Sequence, residues 1–194
     1  MLFRDDTYRV LLASASEKFN SITASLLPGS EFFPVTVTRS AAEARRRLSE
    51  SDFDLVIVNA PLPDEFGTRL AVYACRNTQA SVLLLVQREL HEEIYCKVME
   101  DGVITLPKPV SEPVMRQMLR TLCSVRERLR RAEERQVTVE KKIEEMRLVN
   151  RAKWLLIQRL HMTEEDAHGY IRRQAMDKRV TQREAAEDIL RTYQ

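Results

Sequence analysis

The chain is short of glycine, cysteine, histidine and long apolar runs. Only four of its 194 residues are Gly, which leaves no Gly-rich loop to cradle a phosphate. The three cysteines, Cys75, Cys96 and Cys123, are odd in number and lack ligand spacing. They exclude a disulfide framework and a zinc site, and read as small apolar residues of the interior. The three histidines, His91, His161 and His168, sit in unrelated settings with no nucleophile-base pattern around them. No apolar stretch is long enough to cross a bilayer, and the opening MLFRDDTYRVLLASAS has too short an apolar run for a signal peptide. These absences point away from an enzyme, from a bound metal or cofactor, and from a membrane. A cytoplasmic protein is the expectation.

What the chain has is charge: 31% of its residues are Asp, Glu, Lys or Arg. The net charge of +2 does not by itself call for nucleic acid. Its distribution is uneven, however. Through Ser111 there are 12 Lys and Arg against 15 Asp and Glu, and from Glu112 onward 19 against 14. A mildly acidic front and a mildly basic back hint at a polyanion partner for the back.

The chain is organised around Glu112 to about Leu160, which has no Pro after Pro113 and no Gly before Gly169. Apolar residues recur at Met115, Met118, Leu122, Val125, Leu129, Ala132, Val139, Ile143 and Met146, in steps of three and four, with Gln136 in the one polar seam position. A sustained 3-4 repeat argues for a coiled coil, because only a partner helix buries so narrow a stripe. The alternative is a long helix packed on its own domain. About 49 residues would span roughly 70 Å. Gln136 and Asn150 fall where buried polar residues often fix register and strand number. The expected partner is a second copy, in a homodimer.

Before this helix, apolar strand-like runs alternate with helical ones. Strands are expected at Tyr8–Ala13, Phe33–Thr38, Asp54–Val58, Ser81–Val86 and Val103–Leu106. Helices are expected at Ser16–Leu27, Ser40–Ser49 (with Ser40 as N-cap), Thr68–Arg76 and Glu92–Met99. Five alternations call for a doubly wound α/β fold with a five-stranded parallel sheet over residues 1–111. A site in such a sheet lies at the carboxyl ends of the strands. Those ends hold Ser14, Ala15, Asn59, Val86-Gln87 and Lys108.

After the coil, over 112–150, the same helix continues into a last domain over 140–194. Thr163-Glu-Glu-Asp opens a second helix with an acidic first turn, and Thr181-Gln-Arg-Glu184 is a capping box that opens a third. Three helices joined by short turns make a compact all-α bundle. On the second helix Ala167, Tyr170, Ile171 and Ala175 form an apolar stripe, Arg172 and Arg173 flank it, and Met176 points away from it. On pattern alone the arginines read as a solvated face.

Two resemblances sharpen this reading. The segment Asp54 to Gly67, with Asn59, Pro63 and Gly67, and the run Leu106-Pro-Lys108-Pro109 resemble the third strand, its loop and the fifth-strand end of response-regulator receiver domains. A phosphorylatable receiver has an acidic pair after its first strand, an Asp ending the third and a Ser or Thr after the fourth. Here those places read Ser14 and Ala15, then Asn59, then Val86 or Gln87. Of that site only Lys108 matches. Mg²⁺ needs hard anionic oxygens and phosphoryl transfer needs a carboxylate nucleophile. The resemblance with its departures therefore implies a degenerate phospho-acceptor site at Ser14, Ala15, Asn59 and Lys108, in a pseudo-receiver that takes no phosphate. Asp64 and Glu65, just past Asn59, are expected to be solvated. Lys108 is expected to bond a carbonyl or Asn59 and hold the loop.

The second resemblance covers about 50 residues. Ala152-Lys153, Leu156, Thr163-Glu-Glu, Ala167, Ile171-Arg172, Ala175-Met176, Ala186 and Ile189-Leu190 resemble the ANTAR domain, the helical RNA-binding module of transcription antitermination regulators. It implies paired hairpins in nascent mRNA as the target, held folded so that an overlapping terminator does not form. It also implies Ala152, Lys153, Arg172 and Met176 as RNA-binding positions. Arg151, Arg173, Lys178 and Arg179 are added as phosphate contacts on charge and position. Trp154 stands where that family often has Gly or another residue, and either packs or stacks. Input through a sensor or sequestering protein at the pseudo-receiver completes the expectation. The alternative is a signalling adaptor that binds proteins through both ends and no RNA.

Overall fold

The computed structural model describes residues 7–193, without the side chains of residues 138 and 139. The chain divides into two units, Met1–Arg131 and Ala132–Gln194. In the first, strands β1 (Tyr8–Ala13), β2 (Phe32–Thr38), β3 (Leu55–Asn59), β4 (Ser81–Gln87) and β5 (Ile104–Lys108) alternate with helices α1 (Glu17–Ser25), α2 (Ala41–Glu50), α3 (Thr68–Asn77) and α4 (His91–Val98). The sheet is wholly parallel, in the order β2-β1-β3-β4-β5. Each strand end falls within one or two residues of its sequence expectation. The capping side chains explain the helix starts: Ser16 accepts from the Phe19 N–H and Ser40 from the Glu43 N–H, each worth about 1 kcal/mol.

The strands are apolar on both faces because both are covered. Leu11, Ala13, Val56, Val58, Val82, Leu84 and Val86 face α2, α3 and α4. Their alternates, Val10, Leu12, Leu55, Ile57, Leu83 and Leu85, join Leu26 and Leu27 after α1, and Met115, Leu119 and Leu122. Those last three belong to helix α5 (Glu112–Leu160), which is continuous over the length expected.

The first compact unit does not stop at residue 111. The first unit needs the start of α5 as the cover of its second face, so it reaches Arg131. Fully burying side chains of this size contributes about 1.5–3 kcal/mol each. The buried phase is Met115, Leu119, Leu122; Met118, expected in the stripe, is only partly buried. A part-buried ion pair reinforces the docking. Arg126 Nε donates to Asp54 Oδ1 at 3.0 Å, and Asp54 Oδ2 accepts from the Arg9 N–H at 2.9 Å.

In the second unit, the last turns of α5 pack with α6 (Glu164–Lys178) and α7 (Gln182–Tyr193). The core is Val149, Ala152 and Leu156 against Ala167, Ile171 and Ala175 and against Ala185, Ala186 and Ile189. Spacings of three and four put the trios of α5 and α6 each on one helix face, and in α7 Ile189 lies three and four residues after the adjacent Ala186 and Ala185; the alanines let the backbones approach closely. The capping box forms as read: Thr181 N donates to Glu184 Oε2 and Glu184 N to Thr181 Oγ1. In place of a glycine, α6 ends on Arg179 in the left-handed region, at φ 55°. His161, just after α5, is also left-handed, at φ 53°.

Cys75 and Cys123 are partly buried, but Cys96 is exposed on α4, against expectation. Burial, with help from Asp101, pushes the Cys75 thiol up to about 11, so it stays protonated and unreactive at neutral pH.

Candidate functional site

The carboxyl ends of β1, β3 and β5 bring Ser14, Asn59 and Lys108 into one hydrogen-bond chain. Lys108 Nζ donates to Asn59 Oδ1 at 3.0 Å and also to the Ala60 carbonyl. Asn59 Nδ2 donates to Ser14 Oγ at 3.0 Å. A lysine can only donate, so this contact fixes the amide with its oxygen toward β5 and its nitrogen toward β1. Ser14 Oγ also accepts from the Ser16 N–H at 3.2 Å. Ser14 and Asn59 are both buried. Burial lowers the pKa of Lys108 from the ordinary lysine value.

Beside this chain lies an open cleft of about 490 Å³, lined by Ala15, Ser16, Phe19, Asn59, Ala60, Pro61 and Lys108. Ala15, the fourth residue expected here, lines the cleft from an exposed position. The lining holds no carboxylate and one cation. A hydroxyl with its lone pairs engaged, a methyl and an amide supply neither the anionic oxygens that Mg²⁺ needs nor a carboxylate nucleophile for a phosphoryl group.

Asp64 and Glu65 are not idle solvated groups. Asp64 accepts from the Ala41 and Ala42 N–H groups at 2.8 and 2.9 Å, capping α2 from a neighbouring loop. These bonds hold its carboxyl below the usual range. A folded-state pKa below the unfolded one stabilises the fold above the unfolded value, and that contribution is lost as pH falls through the depressed value. Glu65 accepts from the Leu70 N–H at 2.9 Å and pairs with Arg45 at 2.7 Å. The loop after β3 is therefore clipped to α2 and α3. It is also held by Gly67, whose φ is +104°; a Cβ there would meet Val58 Cγ1 at 3.0 Å.

The second unit carries the other candidate surface. Arg151, Arg172 and Arg173 are exposed and make no ion pair among the described residues. Met176 is 68% exposed. Lys153 pairs with Glu164 at 2.9 Å and is only 17% exposed; this contact holds the Glu164 carboxyl below its usual range. Lys178 pairs with Asp188 at 3.1 Å. Arg179 is the left-handed cap whose N–H bonds the Ala175 and Met176 carbonyls.

Ala152 must be withdrawn from the RNA-contacting set. It is fully buried between α5 and its neighbours and presents no surface; its place in the motif is explained by packing. Trp154, left open between packing and stacking, is 65% exposed and outside the core. Sequence reasoning missed Phe19 and Pro61 as cleft walls, for which no motif gave a signal.

A parallel sheet of this order is the flavodoxin-like arrangement, the fold that receiver domains have. Solved structures agree on the fold. The signal receiver domain of an HD domain-containing protein from Pseudomonas fluorescens Pf-5 superposes with a TM-score of 0.58 at 22% identity, covering 70% of this chain and 98% of that one. Chemotaxis response regulator CheY4 of Vibrio cholerae gives 0.53 at 19% identity, covering 60% and 99%. The ANTAR domain model matches residues 127–190. Transcriptional regulatory protein PdtaR of Mycobacterium tuberculosis (strain CDC 1551 / Oshkosh) is 32% identical over 143 residues, 72% of this chain and 68% of that one. The chain belongs to the ANTAR-domain response regulators, transcriptional regulators of the antitermination kind.

Among the described residues no helix is long and apolar enough to cross a membrane, and no cluster of His, Cys, Asp or Glu could hold a metal.

Proposed function

We propose that this chain is a dimeric antitermination regulator that binds paired hairpins in nascent mRNA through its ANTAR module, with a receiver-like domain that accepts no phosphoryl group. The observation that carries the RNA reading is the exposed pair Arg172 and Arg173 flanking exposed Met176 on α6, two cations without a carboxylate partner among the described residues, with Arg151 exposed on α5 of the same matched module. RNA loops offer splayed bases for such tips and phosphates for such cations.

The dimer rests on Ile143 and Met146, exposed on the heptad stripe of α5. Val139, the stripe residue between them and Gln136, has a side chain outside the described residues. The flanking charges favour parallel helices. Of the flanking pairs five residues apart, the offset at which two parallel helices meet, Arg128–Glu133 and Arg135–Glu140 are opposite in charge and Lys142–Arg147 alike. An antiparallel pair would set Arg and Lys against each other on one side. Two modules carried side by side would engage two hairpins and gain effective concentration.

The Ser14–Asn59–Lys108 chain, with no carboxylate in it, supports input through a sequestering or sensor protein at the receiver-like domain. Exposure to acetyl phosphate and Mg²⁺ should leave the chain unlabelled by mass spectrometry; an added phosphoryl group would overturn the pseudo-receiver reading.

The functional reading is tested by titrating the full chain with a pool of two-hairpin RNAs carrying randomised loops, at two salt concentrations. Enrichment of particular loops, with affinity falling as salt rises, is the expected outcome. A folded dimer that retains no RNA would favour the protein-binding adaptor instead.

A further inference from the structure

The segment Arg147–Thr163 contains no carboxylate residue, yet holds Arg147, Arg151, Lys153 and Arg159. Trp154 lies in its middle. Arg147, Arg151, Trp154 and Gln158 are spaced four, three and four residues apart, so they share one face of α5. All four are exposed, while the core trio Val149, Ala152 and Leu156 points to the opposite side, into the bundle. A large indole 65% exposed forfeits most of the burial that normally retains it. It is flanked on its own face by cations and an amide, the surroundings that suit an aromatic ring facing a polyanion.

We infer that Trp154 is a stacking platform for an unstacked base of the bound RNA, with Arg151 and Arg147 holding the adjoining phosphates. This rests on the RNA reading above and adds a contact on α5, on the helix face away from the core. Base–aromatic stacking tolerates any base and is worth about 1–3 kcal/mol per base by alanine substitution. Trp154 thus adds affinity without sequence discrimination, leaving loop selectivity to other contacts.

Trp154 is the sole tryptophan of the chain, so its emission reports on this position alone. With loop sequences enriched from the pool, wild-type emission should be quenched in step with RNA occupancy. The same RNA with abasic loop nucleotides should leave it unquenched. Trp154→Ala should weaken binding roughly 10-fold with the dimer and its melting curve unchanged, and Trp154→Phe should recover part of the loss. Unaltered affinity in Trp154→Ala, with the wild-type emission unmoved by RNA that does bind, would overturn the inference and leave the RNA reading standing. An emission change on dilution without RNA, together with loss of the dimer in Trp154→Ala, would overturn it in favour of packing against a second copy. Absence of binding by the whole pool would remove the RNA reading and this inference with it.

Discussion

Replacing Arg172 and Arg173 together by alanine should weaken binding of the two-hairpin RNA by about 100-fold while leaving the fold intact. Both side chains are exposed and neither has a carboxylate partner among the described residues. Their removal therefore strands no buried charge. Hydrogen bonds to charged groups contribute about 1.5–3 kcal/mol each, and giving up two of them to solvent produces a fall of this order. The salt dependence should change as well: removing one phosphate-binding cation lowers the slope of log affinity against log salt by somewhat under one. Filter binding at several salt concentrations measures both. An unchanged slope would mean that these arginines belong to a solvated face. Lys153→Ala is the less clean experiment, because Lys153 is mostly buried against Glu164. Its removal would also break the bridge between the end of α5 and the start of α6.

Leu156→Ala should destabilise the second unit by about 2–5 kcal/mol, the usual cost of a Leu-sized cavity. Leu156 is fully buried and sits among Ala152, Ile171 and Ala186. Alanines on all three helices leave little side-chain volume to collapse into the gap, which favours the upper part of that range. Hydrogen exchange resolves the effect by position. Amides of α6 and α7 should lose protection while those of β1, β3 and β4 keep theirs, since the two units have separate cores. Equal loss in the sheet would show that the units unfold together. The same variant should bind RNA poorly at temperatures where the module is partly unfolded, and cooling should restore it.

Much of this architecture was legible because its signals are periodic and local. The five apolar runs became five strands, since a sheet covered on both faces imposes no polar positions. The ends of α5 were found because nothing between Pro113 and Gly169 breaks a helix and Thr163 caps the next one. What the sequence hid lies in pairings between distant residues. Asp54 and Arg126 are 72 positions apart, and no local pattern marks them. Asp64 and Glu65 looked solvated because their partners are backbone N–H groups of α2 and α3, which leave no trace in composition, and, for Glu65, Arg45 twenty positions away. The heptad stripe misassigned the start of α5: over Met115–Leu122 the helix faces its own sheet. Ala152 was misread for the opposite reason, since a motif records that a residue is needed and not whether it packs or touches a ligand.

The chain of hydrogen bonds from Ser14 through Asn59 to Lys108 has a consequence for timing. A switch driven by phosphorylation keeps a memory of its stimulus for as long as the acyl phosphate survives. On the proposed reading an amide, bonded to Lys108, stands where an acyl phosphate would form, so there is no labile bond to set such a lifetime. Whatever occupies this domain would act by mass action, with a response that tracks the abundance of the occupant and decays at its dissociation rate. No hydrolase would be needed to reset it.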